Sequence, residues 1–189
     1  MKEKFKTIWE LAFPYLKRGR AKDFVLHTEG VVEAMEVLVN SEKGDENILI
    51  SAAILHDVGW AKVPEELQLT SDKEKQKKGR KLHLKYAMPI IREILNEVGF
   101  EASDIEKVCE IVFAHKFQDP EGLEKRFLID ADALSDVFEK QFYSDTKMYG
   151  KSLEENYEFR KKNKFYTRKA REVFEKELEK RRREIFEKY

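Results

Sequence analysis

The sequence is short of the residues that punctuate and staple a chain: one cysteine, four prolines and eight glycines in 189 residues. A lone Cys109 excludes an internal disulfide. Scarce Gly and Pro leave little material for the many tight turns of a β sandwich, which pushes the fold class toward all-α. Charge of one sign is also missing, since 37 Lys and Arg balance 37 Asp and Glu, so no bulk field draws the molecule to a nucleic acid duplex or an anionic membrane. Long apolar runs are absent as well. The longest, residues 48–55, is interrupted by Ser51 and falls well short of the ~20 residues a bilayer needs. Glu3, Glu10 and Pro14 occupy the stretch where a secretory signal keeps an unbroken apolar centre. The expectation is a reduced, cytoplasmic protein with no membrane partner.

What is present is ionic surface and helical periodicity. Charged residues make up 39% of the chain, against roughly 25% in an average soluble protein. Phe5, Ile8, Trp9 and Phe13 predict a first helix ending near Gly19. Asp23 is placed to cap a second, whose stripe is Phe24, His27, Val31, Met35 and Leu38. A third, from Asp45, is apolar nearly all round and delivers His56 and Asp57 at its carboxyl end before Gly59. Residues 59–70 read as a loop around Pro64, with room for one helical turn. Ser71 with Glu74 forms a capping box opening a polar helix that carries His83, with Pro89 expected to kink it. Ser103 with Glu106 repeats that pattern and starts a helix carrying His115. Residues 126–142 read as one helix with Asp130 and Asp132 flanking its apolar side, and periodicity does not choose between the two. A last charged helix spans roughly 165–188, with Phe165, Val173, Phe174, Leu178, Ile185 and Phe186 as its seam. With no repeat or low-complexity linker, the chain reads as one domain over 1–189, with a core at 23–143 and a helical extension at 150–189.

The four histidines of the chain each fall on the apolar face of a different predicted helix. Burying four imidazoles and two or three carboxylates in a small core is costly, roughly 2–7 kcal/mol even for each unpaired neutral polar group. The basic side chains near these segments are expected on polar faces, so divalent cations are the simplest compensation. Imidazole with carboxylate suits Fe, Mn, Co or Zn, and without a thiolate the set does not match a structural zinc cage.

His27, the adjacent His56-Asp57 and a later Asp in ADAL, residues 131–134, form a pattern that resembles the HD-domain superfamily of metal-dependent phosphohydrolases over residues 24–142. ILHDVG is similar to that family's apolar-His-Asp-x-Gly signature, and ADAL to its Ala-Asp-Arg-Leu element, which assigns the final ligand to Asp132 over Asp130. The resemblance implies an HD-like all-α bundle with one metal on His27, His56, Asp57 and Asp132. His83 and His115 match the two extra histidines of the binuclear branch, in which Asp57 bridges two cations, so one or two divalent ions (Fe, Mn, Co, Zn or Mg) are implied. Trp60 stands where many members carry lysine. Lys62 is assigned as the anion contact instead, with the run from Lys73 to Lys81 as the alternative; the run by itself reads as a solvated helix face.

The implied chemistry is hydrolysis of a nucleotide or other phosphate ester by a metal-activated water, with Asp57 orienting the nucleophile and Asp130 or Asp136 behind the ligands. Two rivals use the same residues: a di-iron oxygenase of the same superfamily, and a non-catalytic module binding a nucleotide or partner. A homo-oligomer through the last helix is left open. Gly150-Lys151-Ser152 looks like the end of a phosphate loop but lacks the first glycine and the strand. Ser144 with Lys147 is a chance serine-lysine spacing, and Cys109 reads as packing.

Overall fold

The computed structural model describes residues 2–19, 24–41, 43–117 and 119–187, and these form helices and turns with no strand. The α-helices are α1 (Glu3–Leu16), α2 (Val25–Val39), α3 (Glu46–Leu55), α4 (Lys73–Glu97), α5 (Ala102–Ala114), α6 (Leu123–Ser135), α7 (Glu139–Met148), α8 (Leu153–Arg160) and α9 (Arg168–Phe186). Two 3-10 turns, Val58–Lys62 and Glu65–Leu67, lie between α3 and α4. No helix among the described residues is long and apolar enough to cross a membrane.

Helix α3 is the axis of the bundle. Residues 48–55 are all buried, and α1, α2, α5 and α6 pack around them. Each fully buried Leu or Ile contributes roughly 1.5–3 kcal/mol, so a sequence apolar on every side becomes the centre rather than one wall. The Asp45 carboxylate caps it, accepting from the backbone N–H of Asn47 and Ile48. Beyond α3 the chain tightens into the first 3-10 turn, which lies directly on α4. A Cβ at Gly59 would sit 2.0 Å from the His83 carbonyl oxygen and 2.6 Å from the Ala87 nitrogen. Only glycine permits that approach, and it brings the chain after Asp57 against the helix that carries His83.

Several local expectations are corrected. Asp72, not Ser71, caps α4, accepting from Glu74 N at 2.9 Å and Lys75 N at 3.1 Å. Helix α5 starts at Ala102 with no side-chain cap, so Ser103 lies inside it. As expected, α4 runs through Pro89, here to Glu97. The expected cap at Asp23 lies outside the described residues. Residues 126–142 are two helices, not one: α6 ends at Ser135 and α7 begins at Glu139. No glycine or proline marks that break. Val137 is fully buried in the turn, and Asp136 is held by Arg160 of α8.

Gly150, at φ +60, ends α7, and Ser152 opens α8 through a capping box with Glu155. That is the structural meaning of Gly150-Lys151-Ser152. Helix α9 packs on α6 and α8 and buries Ala170 and Phe174. Its expected seam does not extend to the end, because Phe186 remains half exposed. Cys109 is buried in the core.

Candidate metal centre

Six polar side chains from five helices and their ends meet at one point. His27 comes from α2, His56 and Asp57 follow α3, His83 lies on α4, His115 caps the end of α5, and Asp132 lies on α6. Asp57, 3% exposed, is at the middle. Its Oδ2 lies 3.3 Å from His56 Nε2 and 3.7 Å from His27 Nε2. Its Oδ1 lies 3.6 Å from His83 Nε2 and 3.8 Å from His115 Nε2. One carboxylate therefore serves two pairs of imidazoles. Asp132 Oδ1 adds a further acceptor 3.2 Å from His27 Nε2.

The backbone fixes which ring nitrogens are offered. His56 Nδ1 lies 2.8 Å from the Ala53 carbonyl, and His115 Nδ1 lies 2.5 Å from the Val112 carbonyl, each three residues back on its own helix. A carbonyl only accepts, so each Nδ1 carries the proton and each Nε2 keeps its lone pair toward Asp57. Trp60 locks two further members. Its Nε1 donates to Asp57 Oδ1 at 3.2 Å, and its ring stacks on His83 with centroids 4.6 Å apart and planes 5° from parallel.

Electrostatics follows from this crowding. Burial pushes the Asp57 carboxyl up, but the neighbouring His56 and Lys116 outweigh it and hold it well below the ordinary carboxylate range. Asp132 is likewise pushed up by burial, then lowered well below the ordinary range by Lys116 and His27. Burial drives the His83 imidazole down to about 3, against the pull of Asp57. His115 is lowered by burial and by Lys116. His27 is lowered by burial but raised further by Asp132, so it binds a proton more readily than a free imidazole.

The residues fit a divalent cation. The Nε2 atoms of His83 and His115 and the Nδ1 of His83 are buried without a hydrogen-bond partner, a state that costs roughly 1–3 kcal/mol per atom. His27, His56 and Asp57 place ligand atoms within 4.8 Å of one another, as do Asp57, His83 and His115. Nitrogen and carboxylate donors without thiolate match the borderline divalent metals.

The structure does not bring Lys62 to this cluster. It is exposed at the end of the first 3-10 turn and outside the lining of the adjoining cavity. The cation that reaches the cluster is Lys116, whose Nζ lies 2.6 Å from Asp132 Oδ2. The expectation that nearby basic side chains stay on polar faces fails there, and its only signal was adjacency to His115. Asp130 is not among the six. It faces the other way, accepting from Tyr166 N, Thr167 N and Thr167 Oγ1 and so holding the start of α9. Asp136 pairs with Arg160, and burial, reinforced by Asp132 against that arginine, raises its carboxyl to about 6.

A cavity of about 410 Å³ opens beside the cluster, with His27, Asp57 and Asp132 in its wall. Arg80, Lys116, Lys151 and Arg160 line it too, as do Tyr149 and Phe159. Arg80 belongs to the basic run that reads from sequence as a solvated face.

An all-helical bundle that gathers histidines and aspartates from successive helices around one shared carboxylate has the donor set of a divalent-metal-binding helical domain. The chain belongs to the HD-domain family: the HD domain model matches residues 24–136. Most members of that family are metal-dependent phosphohydrolases, and HD domains bind divalent metals. No curated protein and no solved structure matches the chain. The matched span holds all six clustered residues, whereas Lys151, Tyr149, Phe159 and Arg160 lie beyond it.

Proposed function

We propose that the chain is a metal-dependent phosphohydrolase acting on a small-molecule phosphate ester, a nucleotide being the favoured class. The observation that carries this reading is the division of Asp57 between two histidine pairs beside a cavity that presents four cationic side chains. His27, His56, Asp57 and Asp132 would hold one cation, and His83, His115 and Asp57 a second. A divalent cation held there supplies Lewis acidity, lowering the pKa of water and neutralising charge on phosphoryl oxygens.

The chain's own residues do the rest. Trp60 keeps the shared carboxylate from rotating, and the Ala53 and Val112 carbonyls keep two imidazoles in the tautomer that leaves Nε2 basic. Lys116 brings positive charge next to Asp132, where a phosphoryl group entering the cavity would meet it. Lys151 and Arg80 extend that positive wall. An oxygenase would use the same ligands; Arg80 and Lys151, which line the cavity with no carboxylate partner among the described residues, favour an anionic ester. A purely binding module would not require an undamaged ligand set.

The test is hydrolysis of a phosphoester panel by the full chain loaded with Mn, Fe, Co or Mg. Turnover is expected, with loss of at least two orders of magnitude in His56→Ala and Asp57→Ala. Equal rates in wild type and both variants would sink the reading. Oxygen consumption with an added organic substrate and no phosphate release would transfer the site to the oxygenase class.

A further inference from the structure

A second cavity, of about 530 Å³, adjoins the one at the metal centre, and Trp60, Arg80, Met148 and Tyr149 line both. The two differ sharply in charge. The first has Asp57, Asp132, Asp136 and Asp145 in its wall together with four cations. No carboxylate lines the second, and its one cation is Arg80 on the shared border. The remaining wall is neutral: Leu67, Leu69, Gln68, Thr70, Ser71 and Gln76.

The polar groups of that wall are oriented in advance. Gln68 Nε2 donates to Val63 O at 2.6 Å and Trp60 O at 3.3 Å, and Gln76 Nε2 donates to Thr70 O at 2.7 Å. With both amide nitrogens committed to the backbone, the two amide oxygens remain as acceptors. Gly79 keeps the wall close to α4, since a Cβ there would meet the Leu67 carbonyl oxygen at 2.6 Å. Apolar surface is left bare around these acceptors: Leu69 is 51%, Met148 43% and Tyr149 41% exposed. Arg80 has no carboxylate partner among the described residues, and it stands where a ligand spanning both cavities would cross.

We propose that the second cavity holds the uncharged organic part of the ester, a flat group bearing N–H donors such as a nucleobase, while its phosphate occupies the first. This rests on the phosphohydrolase reading for the phosphate end only. The volume lies within the ~300–1,000 Å³ of small-molecule sites, and apolar walls with a few fixed polar groups are what such sites use for orientation. A condensed inorganic phosphate has nothing to place against Leu69 and two amide oxygens. The substrate class is therefore a monoester or short phosphate chain attached to a nucleoside-like group.

The probes are adenosine and uridine, titrated calorimetrically into the full chain with and without Mn, with inorganic phosphate as the comparison. At least one nucleoside is expected to bind in both states. Gln76→Leu, which removes an acceptor, and Leu69→Ala, at an exposed position where the fold is not at stake, are each expected to weaken nucleoside binding by about threefold to tenfold, the effect of one lost hydrogen bond or a modest apolar contact. Phosphate affinity is expected to move less. Absence of nucleoside binding, or equal loss of nucleoside and phosphate affinity in both variants, overturns the assignment. Nucleoside binding with no ester hydrolysis under any metal removes the phosphohydrolase reading and upholds the cavity. Hydrolysis of pyrophosphate alone, without nucleoside affinity, does the reverse.

Discussion

Trp60 lies flat against His83, with centroids 4.6 Å apart and planes 5° from parallel, while its indole N–H donates to the carboxylate that His83 faces. One side chain thus sets the attitude of an imidazole and of the aspartate shared by both histidine pairs.

Replacing Trp60 by Phe keeps a stacking surface and deletes the donor. Groups that orient metal ligands typically change affinity by about 10–100-fold. Metal titration of Trp60→Phe is expected to show weakened binding at the low end of that range, and Trp60→Ala at the high end. Identical isotherms for all three proteins would remove the orienting role.

The orphaned ring nitrogens predict that cations stabilise the fold. Mn or Co should raise the thermal midpoint and a chelator should reverse it, because ligand binding to the native state adds RT ln(1 + [L]/Kd). His83→Ala and His115→Ala are each expected to lower the metal content from two equivalents toward one, read by elemental analysis. An unchanged stoichiometry would exclude a second site at Asp57.

Lys116 gives a prediction with opposed signs. Its ammonium competes with any cation for Asp132 and repels that cation at close range. Lys116→Met should therefore bind Mn more tightly while hydrolysing the ester more slowly, by about tenfold or more on the usual scale for an electrostatic contact in an active site. Parallel loss of binding and turnover would mean that the lysine only supports the fold.

Asp130 separates stability from chemistry. Asp130→Ala strips the partner from two backbone N–H groups and one hydroxyl, a loss of about 3 kcal/mol or more at roughly 1–3 kcal/mol per buried orphan. Urea unfolding is expected to report that loss, with metal stoichiometry intact. Asp132→Ala should do the opposite, sparing much of the stability and lowering metal affinity.

Gly59 tests the contact between the first 3-10 turn and α4. A methyl group there overlaps the backbone at His83 and Ala87, and neither can retreat without moving the helix. Gly59→Ala is expected to cost about 3 kcal/mol or more, at the upper end of overpacking effects, and to displace His83 from Asp57. A variant with wild-type stability and metal content would contradict the packing.

The histidines were legible because a polar residue repeated on an apolar stripe breaks an otherwise uniform pattern, and helical period alone carries that signal. Asp132 was not separable from Asp130 by period, since two positions apart on a helix face in divergent directions; the ADAL resemblance made the distinction. Caps were misread where two candidates adjoin, as at Ser71 and Asp72, because the winner depends on backbone angles that composition does not encode. The break between α6 and α7 left no Gly or Pro because buried Val137 and the Arg160 contact create it. The sequence points to Lys62 or the Lys73–Lys81 run and does not single out Lys116, whereas reach into the cleft is decided by the ends of α5 and α6 meeting in space.

Helices α7 and α8 furnish wall residues of the first cavity and none of the six clustered ligands. On the phosphohydrolase reading, part of the surface that would meet the substrate is thus carried on a stretch of polypeptide apart from the residues that would hold the cations. Grafting a different α7–α8 connection onto the same bundle should yield catalysts of altered taste that load the same ions.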